Sequence, residues 1–362
     1  MIKKLLICLI VAICLFAVGY NAYQSEKQAT TGKQKVYAML PLSGLYTQFG
    51  KDIKSVIEWY MANKNPPFEI VYVDSQGEPA KALTAFQQKA IYAKEPIVLS
   101  AFAPVGSVLV PSIKEKKGFL FSISTVGISS DLNNFQIVSR SSSDIINLLA
   151  PYVQKNFKSI AIFYSDDEYG LREMKAMEKS FSGRIHKEVF IPRNPDVRIE
   201  VLKALDSKPE AVIVLGSPTT AYVNIFKELK NHEYQGAILS NSNFTNPNVL
   251  PLIGKAAENV ISAAMFIETE GPHTEQVKAL KAAFGNKLYY IMAEAFEALE
   301  IINYTLNHHL PFSQETYQKL GTWKGVSGDI QFLENGKSSI KSYVLIHINN
   351  GKIVPLEKGE EK

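Results

Sequence analysis

Short runs rich in Val, Ile, Leu and Phe alternate with longer amphipathic stretches along this chain, and the alternation occurs in two successive blocks. In the first, Val36 to Leu40, Phe68 to Val73, Ile97 to Phe102 and Phe119 to Ile123 have the length and composition of buried strands. Phe49 to Asn63 and Pro79 to Ala93 carry helical periodicity between them. Parallel neighbours need a long connection, so this order predicts a parallel sheet with crossover helices. The second block repeats it. Ile160 to Tyr164, Ile185 to Ile191, Ala211 to Gly216 and Ala237 to Ser240 are strand-like, and Glu168 to Phe181, Val197 to Leu205 and Thr219 to Asn231 are helical. Two such blocks predict an α/β protein of two Rossmann-like, doubly wound lobes. A length of 362 residues agrees, because one domain usually takes roughly 100–200.

The final third is less regular. Thr274 to Phe284 and Leu288 to Asn307 read as helices, the second with Ile291, Ala295, Ala298, Leu299 and Ile302 on one face. Short strands follow at Ser327 to Phe332, Ser342 to Ile348 and Lys352 to Val354, with Asn335-Gly336 and Asn350-Gly351 supplying turns. Such a tail predicts that the chain returns to the first lobe and then crosses again. The expected division is 36–145 plus 266–326 for lobe 1 and 146–265 plus 327–362 for lobe 2.

The N-terminus carries an address. Lys3 and Lys4 precede the apolar run Leu5 to Phe16, and Ala17-Val18-Gly19 offers the small residues that a signal peptidase recognises. A cleaved signal peptide over 1–19 is expected, then a polar linker over 20–35, placing the protein in the periplasm or another extracytoplasmic space. The alternative is a retained membrane anchor, for which Leu5 to Tyr20 falls short of the ~20 apolar residues that span a bilayer. Both cysteines, Cys8 and Cys14, lie in this segment, so the processed chain would hold no disulfide or thiolate metal site. The formal net charge is +4, and two of those positive charges are Lys3 and Lys4, which leaves no electrostatic case for nucleic acid.

Four segments occur in a fitting order: Pro41-Leu-Ser-Gly-Leu-Tyr-Thr-Gln-Phe-Gly50, Asp74-Ser-Gln-Gly-Glu-Pro-Ala-Lys-Ala82, Asp166-Asp-Glu-Tyr-Gly170, and Gly328-Asp-Ile-Gln-Phe332 with Asn335-Gly336. Together they resemble the leucine/isoleucine/valine-binding branch of the type I periplasmic binding proteins, which serve ABC transporters. The resemblance covers nearly the whole chain after the leader. It implies two lobes joined by three hinge strands, a small-molecule ligand in the cleft between them, a membrane permease as partner, no cofactor and a monomeric state.

Ser43-Gly44 ends a strand and leads into a helix, so this loop lies at the carboxyl edge of the sheet, where open α/β sheets bind ligands. Free N–H groups at such a helix start can hold an anion. Tyr46 and Phe49 are candidates to wall the cleft. Ordinary packing is the competing reading for both; the resemblance favours the cleft for Phe49 and leaves Tyr46 open. Tyr169 matches a position that reaches ligand from the second lobe in this family. Amino-acid binders of the family hold the ligand carboxylate through a hydroxyl residue, backbone groups and a threonine, which fall here on Pro104, near Thr125 and on Gly127. The acidic partner of the ligand ammonium falls near Ser242, next to Asn243, and a tyrosine position falls near Pro218. A slip of one residue would bring Ser107, Ser124 or Asn243 into play. Proline has no hydroxyl and no N–H, and serine cannot neutralise an ammonium. The expected ligand is therefore less charged than a free amino acid, or differently charged, with an aromatic or amide-bearing body.

Enzymatic readings find little support. Five residues, rather than four, separate Gly44 from Gly50, and Asp52 stands where a phosphate loop places its hydroxyl residue. Asp166, Asp167 and Glu168 lack the spacing of a calcium loop, and the histidines form no i, i+4 ligand pair. Gly325-Val-Ser-Gly328 is one residue short of a nucleophile elbow. A transport-binding subunit is the leading reading, with a ligand sensor of the same fold second and an enzyme on a similar scaffold third.

Overall fold

A computed structural model describes residues 33–123, 127–128, 130–139, 142–265, 274–340 and 343–356. The leader, the linker up to residue 32, and Thr125 lie outside the described residues. In the first lobe the chain runs β1 (Gln34–Leu40), α1 (Thr47–Lys64), β2 (Phe68–Asp74), α2 (Pro79–Lys89), β3 (Ile97–Ser100), α3 (Ala103–Glu115), β4 (Phe119–Ser122) and β5 (Phe135–Ile137). Every neighbouring pair in this sheet is parallel, in the order β2-β1-β3-β4-β5. β1 is fully buried from Tyr37 to Leu40, as a strand covered by helices on both faces must be.

The second lobe runs α4 (Ser142–Asn156), β6 (Ser159–Ser165), α5 (Glu168–Ser180), β7 (Arg184–Phe190), α6 (Arg198–Asp206), β8 (Ala211–Leu215), α7 (Thr220–Asn231), β9 (Ala237–Ser240), a short α8 (Leu250–Ile253) and β10 (Ile261–Met265). The chain then returns to lobe 1 through α9 (Thr274–Phe284), α10 (Tyr290–Asn307), α11 (Gln314–Leu320) and the strands β11 (Thr322–Gly325), β12 (Gly328–Phe332) and β13 (Ser338–Ile340). It ends with β14 (Tyr343–Asn349), antiparallel to β10, and β15 (Lys352–Pro355), antiparallel to β14, which extend the second sheet. The full order there is β15-β14-β10-β9-β8-β6-β7. Two Rossmann-like lobes are therefore present, as expected.

The expected division needs one correction. Ile330 and Phe332 on β12 are buried in the same cluster as Val36, Leu40 and α10, so the β11-β12-β13 sheet belongs to lobe 1. The last crossing falls between Ile340 and Tyr343 instead of after Val326. Alternating apolar residues show that β12 has a buried face but not which lobe it is buried against.

The first and last crossings lie side by side. The Ser338 hydroxyl donates to the Ser139 carbonyl (2.8 Å), and the Gln136 amide donates to the Lys337 carbonyl (3.0 Å). The Ser139 hydroxyl donates to Glu294 Oε2 (2.9 Å) on α10. That helix is buried along most of its length, and three of its side chains reach different parts of the fold: Tyr290 the cleft, Glu294 the crossing and Glu297 the β11-β12 hairpin. Among the described residues no helix is long and apolar enough to cross a membrane.

Glu297 accepts from the Ser327 backbone N–H and from the Trp323 indole, both at 3.0 Å. Burial is the largest influence on its carboxyl and lifts it to about 7, against these donors, which favour the ionised form. The unfolded chain ionises this group near 4.5. Its stabilising contribution is therefore complete below pH 4.5 and is lost as pH rises through 7. A shift of this size corresponds to on the order of 3 kcal/mol. Urea unfolding at pH 5 and pH 7.5 should show the wild type losing stability relative to Glu297→Gln; parallel profiles for the two proteins would contradict the assignment.

Candidate functional site

The carboxyl ends of the two parallel sheets face each other, and the loops that leave them carry the candidate residues. In lobe 1 the turn after β1 is held by Asp74, at the end of β2. Its Oδ1 accepts the backbone N–H groups of Leu42 (2.9 Å), Ser43 (3.2 Å) and Gln76 (2.9 Å), and its Oδ2 accepts the Ser43 hydroxyl (2.6 Å). Burial pulls this carboxyl upward, but the hydrogen bonds, led by Ser43, outweigh it and hold it below its usual value. The N–H groups of Leu42 and Ser43 in this loop are thus already taken; the helix start expected to hold an anion lies further on, at Thr47. Gly44 adopts φ +84° in this turn. At Gly50 a Cβ would sit 2.2 Å from the Pro41 carbonyl oxygen, so glycine lets the first turn of α1 rest on the loop and sets the position of Phe49 beside it.

Lobe 2 uses the same device. Asp167 caps α5 by accepting from Gly170 N (2.8 Å) and also takes the hydroxyls of Ser165 (2.8 Å) and Ser217 (2.7 Å), tying the loop after β6 to the loop after β8. Asp167 is therefore a capping and stitching residue, while Glu168 pairs with Arg172 at 2.9 Å. Among the described residues no group of three or more His, Cys, Asp or Glu is placed to hold a metal ion.

Between the lobes lies a cavity of about 250 Å³. Lobe 1 contributes Tyr46, Phe49, Phe102, Pro104, Ile123 and, from α10, Tyr290 and Ile291; lobe 2 contributes Asp167, Glu168, Tyr169, Ser217, Pro218 and Asn243. The volume lies just below the roughly 300–1,000 Å³ of drug-sized sites, which limits an occupant to a small metabolite. A larger hollow of about 550 Å³ lies on the outside of lobe 1, around Lys117 and Gln314, and lacks both the aromatic wall and the second lobe.

Of the seven residues singled out in the sequence, Tyr46, Phe49, Pro104, Tyr169 and Asn243 gather around this cavity. Ser242 does not line it; it is 1% exposed at the start of a 3-10 turn, Ser242–Thr245, and its neighbour Asn243 faces the cavity in its stead. Asn243 is already engaged. Its Oδ1 accepts the Tyr290 hydroxyl (2.6 Å) from the opposite lobe, and its Nδ2 donates to the Gly216 carbonyl (3.0 Å). Behind it, Asn241 Nδ2 donates to the buried Glu173 (2.6 Å) and to the Gly216 carbonyl (3.1 Å). Tyr46 meets both readings, because it lines the cavity and packs on Phe102 with ring centroids 5.0 Å apart. Burial, then the Asp167 charge from the other lobe, raise its hydroxyl above the usual value.

Phe102 and Tyr290 were not singled out in the sequence. Phe102 read as the last residue of a strand, whereas β3 stops at Ser100 and Phe102 turns the chain into α3 with φ +67° and ψ 128°. For a bulky residue that conformation costs on the order of 1–3 kcal/mol. Tyr290 merged with the apolar face of its helix; the adjacent pair Tyr289-Tyr290 just before that run was the available signal. A polar contact joins the lobes outside the cavity too, since Asp52 Oδ2 accepts from Asn248 Nδ2 (2.9 Å) across the cleft and from the Tyr289 hydroxyl (2.8 Å) beside it.

A profile described as periplasmic binding protein matches residues 33–352. The chain belongs to the periplasmic binding protein family. Solved structures repeat its two-lobed fold over almost their whole length. A leucine-binding protein, LivK, from Thermotoga maritima superimposes with a TM-score of 0.78 at 20% identity, covering 90% of this chain and 98% of the other. An ABC-transporter solute-binding protein from R. palustris in complex with 4-hydroxybenzoate gives 0.77 at 18% identity, with 90% and 96% covered. LivJ, the branched-chain amino acid substrate-binding protein of Streptococcus pneumoniae in complex with isoleucine, gives 0.78 at 16%, with 89% and 97% covered. These identities establish the shared fold. No curated protein matches at the level of sequence.

The close approach at Gly50 supplies a direct check on how the site is positioned. Alanine in place of an exposed helical glycine gains about 1 kcal/mol. At this position the overlap with the Pro41 carbonyl should reverse the sign, and Gly50→Ala is expected to lose about 2 kcal/mol in urea unfolding. Unchanged or increased stability would show that α1 does not rest on the loop as described.

Proposed function

We propose that this protein is the extracytoplasmic binding subunit of an ABC-type uptake system, closing its lobes around a small solute and performing no chemistry on it. The observation that carries the reading is the aromatic cavity at the facing carboxyl ends of two parallel sheets, with side chains from both lobes in its wall. Family membership and the solute-binding neighbours support it. Such a subunit needs a membrane permease as partner. The basic and apolar leader supports delivery outside the cytoplasm, as a processed protein or one held by that segment.

The neighbours bind chemically different solutes, isoleucine in one and 4-hydroxybenzoate in another, so the ligand here follows from the cavity itself. A free amino acid brings a carboxylate and an ammonium, and burying either without a partner is costly. The described wall contains no basic side chain. At one position where amino-acid binders place a hydroxyl it has Pro104, and the N–H groups of Leu42 and Ser43 are spent on Asp74. Of the two carboxylates in the wall, Asp167 accepts from Gly170, Ser165 and Ser217, and Glu168 pairs with Arg172. Tyr46, Phe49, Phe102 and Tyr169 favour a flat apolar body. The ligand is accordingly a small aromatic or amide-bearing solute without both charged ends of an amino acid.

Isothermal titration of protein freed of co-purified solute tests this. Leucine, isoleucine and valine should bind more weakly than about 1 mM. A small neutral aromatic amide, with benzamide as first probe, should bind at least a hundredfold more tightly and lose about tenfold or more with Phe49→Ala, in line with loss of an aromatic contact. Tight binding of isoleucine that requires both its amino and carboxyl groups would overturn the ligand assignment.

A further inference from the structure

Resting on the solute-binding reading above, we infer that Phe102 is a specificity-determining residue, held in an unfavourable backbone conformation so that its ring serves as the platform for a flat ligand. The backbone is the first observation. Among the described residues, eleven other than glycine have positive φ, and ten of these are Asn, Gln, Glu, Lys or His, residues of ordinary turns. Phe102 is the single apolar one. Its ψ of 128° also takes it out of the left-handed helical region that turn residues use and towards backbone space that suits glycine.

The surroundings force that conformation. Ala101 N donates to the Met39 carbonyl, which ties the preceding residue to β1, and Gly106 N donates to the Phe102 carbonyl, which begins α3. Pro104 follows two residues later in the first turn of α3. Between these anchors the chain must turn sharply, and glycine would do so without strain. A phenylalanine at such a position must offset the backbone strain through what its side chain contacts. The ring is only partly buried, packs against both hydrophobic clusters of lobe 1, and faces the cavity. Tyr46 lies 5.0 Å from it at a 56° tilt and Phe49 6.1 Å from it nearly edge-on, so two rings buttress Phe102 and fix its plane. Gly77 adds clearance, since a Cβ there would meet Tyr46 at 3.1 Å and Phe102 at 3.7 Å. Core rings such as Phe86 and Phe121 do their packing from within regular helix and strand, where no strained turn is needed.

A rigid ring of fixed plane discriminates by shape. A planar aromatic solute can stack on it or meet it edge-on, whereas a branched aliphatic solute of the same polarity cannot match that contact. Pairs matched in their polar groups test this: benzamide against isobutyramide, benzoate against isovalerate, and phenylalanine against leucine. In titrations of the full processed chain, wild type should prefer the aromatic member of at least one pair by tenfold or more. Phe102→Leu and Phe102→Gly should each reduce that preference to threefold or less, and Phe102→Tyr should retain it. Phe102→Gly should also unfold in urea no earlier than Phe102→Leu, because relief of the backbone offsets loss of the ring; this holds the inference to account if the leucine variant folds poorly. Aromatic preference surviving in both Phe102→Leu and Phe102→Gly, or wild-type preference for the aliphatic members, would overturn the role of Phe102 while leaving solute binding intact. Failure of wild type to bind any member of the three pairs would overturn the aromatic ligand assignment and this inference with it.

Discussion

Two aspartates, one in each lobe, take up backbone N–H groups of the loops that face the cleft, and the conformation of those loops depends on them. A loop at the carboxyl edge of a parallel sheet leaves backbone N–H groups without partners, which must be met by ligand, water or protein. Asp74 meets those of Leu42, Ser43 and Gln76, and Asp167 meets that of Gly170. Each aspartate also ties two loops of its lobe together, Asp74 through Ser43 and Asp167 through Ser217. With those donors satisfied within the protein, the rest of the wall is free to be aromatic, and Tyr46, Phe49, Phe102 and Tyr169 occupy it.

Helix α10 links this cavity to the crossings between the lobes. Its first turn places Tyr290 against Asn243 of the opposite lobe, and one turn further on Glu294 takes the hydroxyl of Ser139, where the chain leaves lobe 1. The first and last crossings are stitched to each other by Ser338 and Gln136, so they form a paired strip beside that helix. Among the described residues, the polar contacts that span the cleft include Tyr290 to Asn243, Asn248 to Asp52, Tyr46 to Ser217, and the longer pair of Arg193 and Glu78 at 3.6 Å. Polar contacts of this kind exchange readily for water, unlike the apolar cores inside each lobe. That is the division of strength a closing mechanism requires, with rigid lobes and a separable interface.

Much of this was legible in the sequence, because buried parallel strands must be continuous apolar runs and their connections must be helices. The two sheets and most of their helices follow from that rule. What stayed hidden has specific physical causes. Helices α3 and α4 carry Pro111 and Pro151 in their interiors, and an internal proline argues against a helix. Strand β5 has three residues, too few for a period to show. The lobe to which β12 belongs depends on long-range packing of Ile330 and Phe332. At the site, aromatics in the first turns of helices, such as Phe49 and Tyr169, stood out because short motifs surround them. Phe102 did not, since its role comes from a backbone turn that no run of apolar residues reveals. Ser242 and Asn243 differ by one position, and only the 3-10 turn decides which of them faces the cavity.

On the proposed function, the two lobes move against each other and a solute in the aromatic cavity favours the closed arrangement. Because Cys8 and Cys14 are the only cysteines and both precede the described fold, spin labels can be placed on a chain lacking the leader through Lys81→Cys on α2 and Lys175→Cys on α5. Pulsed electron resonance distances between those labels, recorded with and without a saturating solute from the calorimetric series, measure the lobe separation directly. The account predicts a population of longer distances in the free protein that shrinks in favour of a shorter one when solute binds. A single distance distribution, unchanged by a solute that calorimetry shows to be bound, would contradict it.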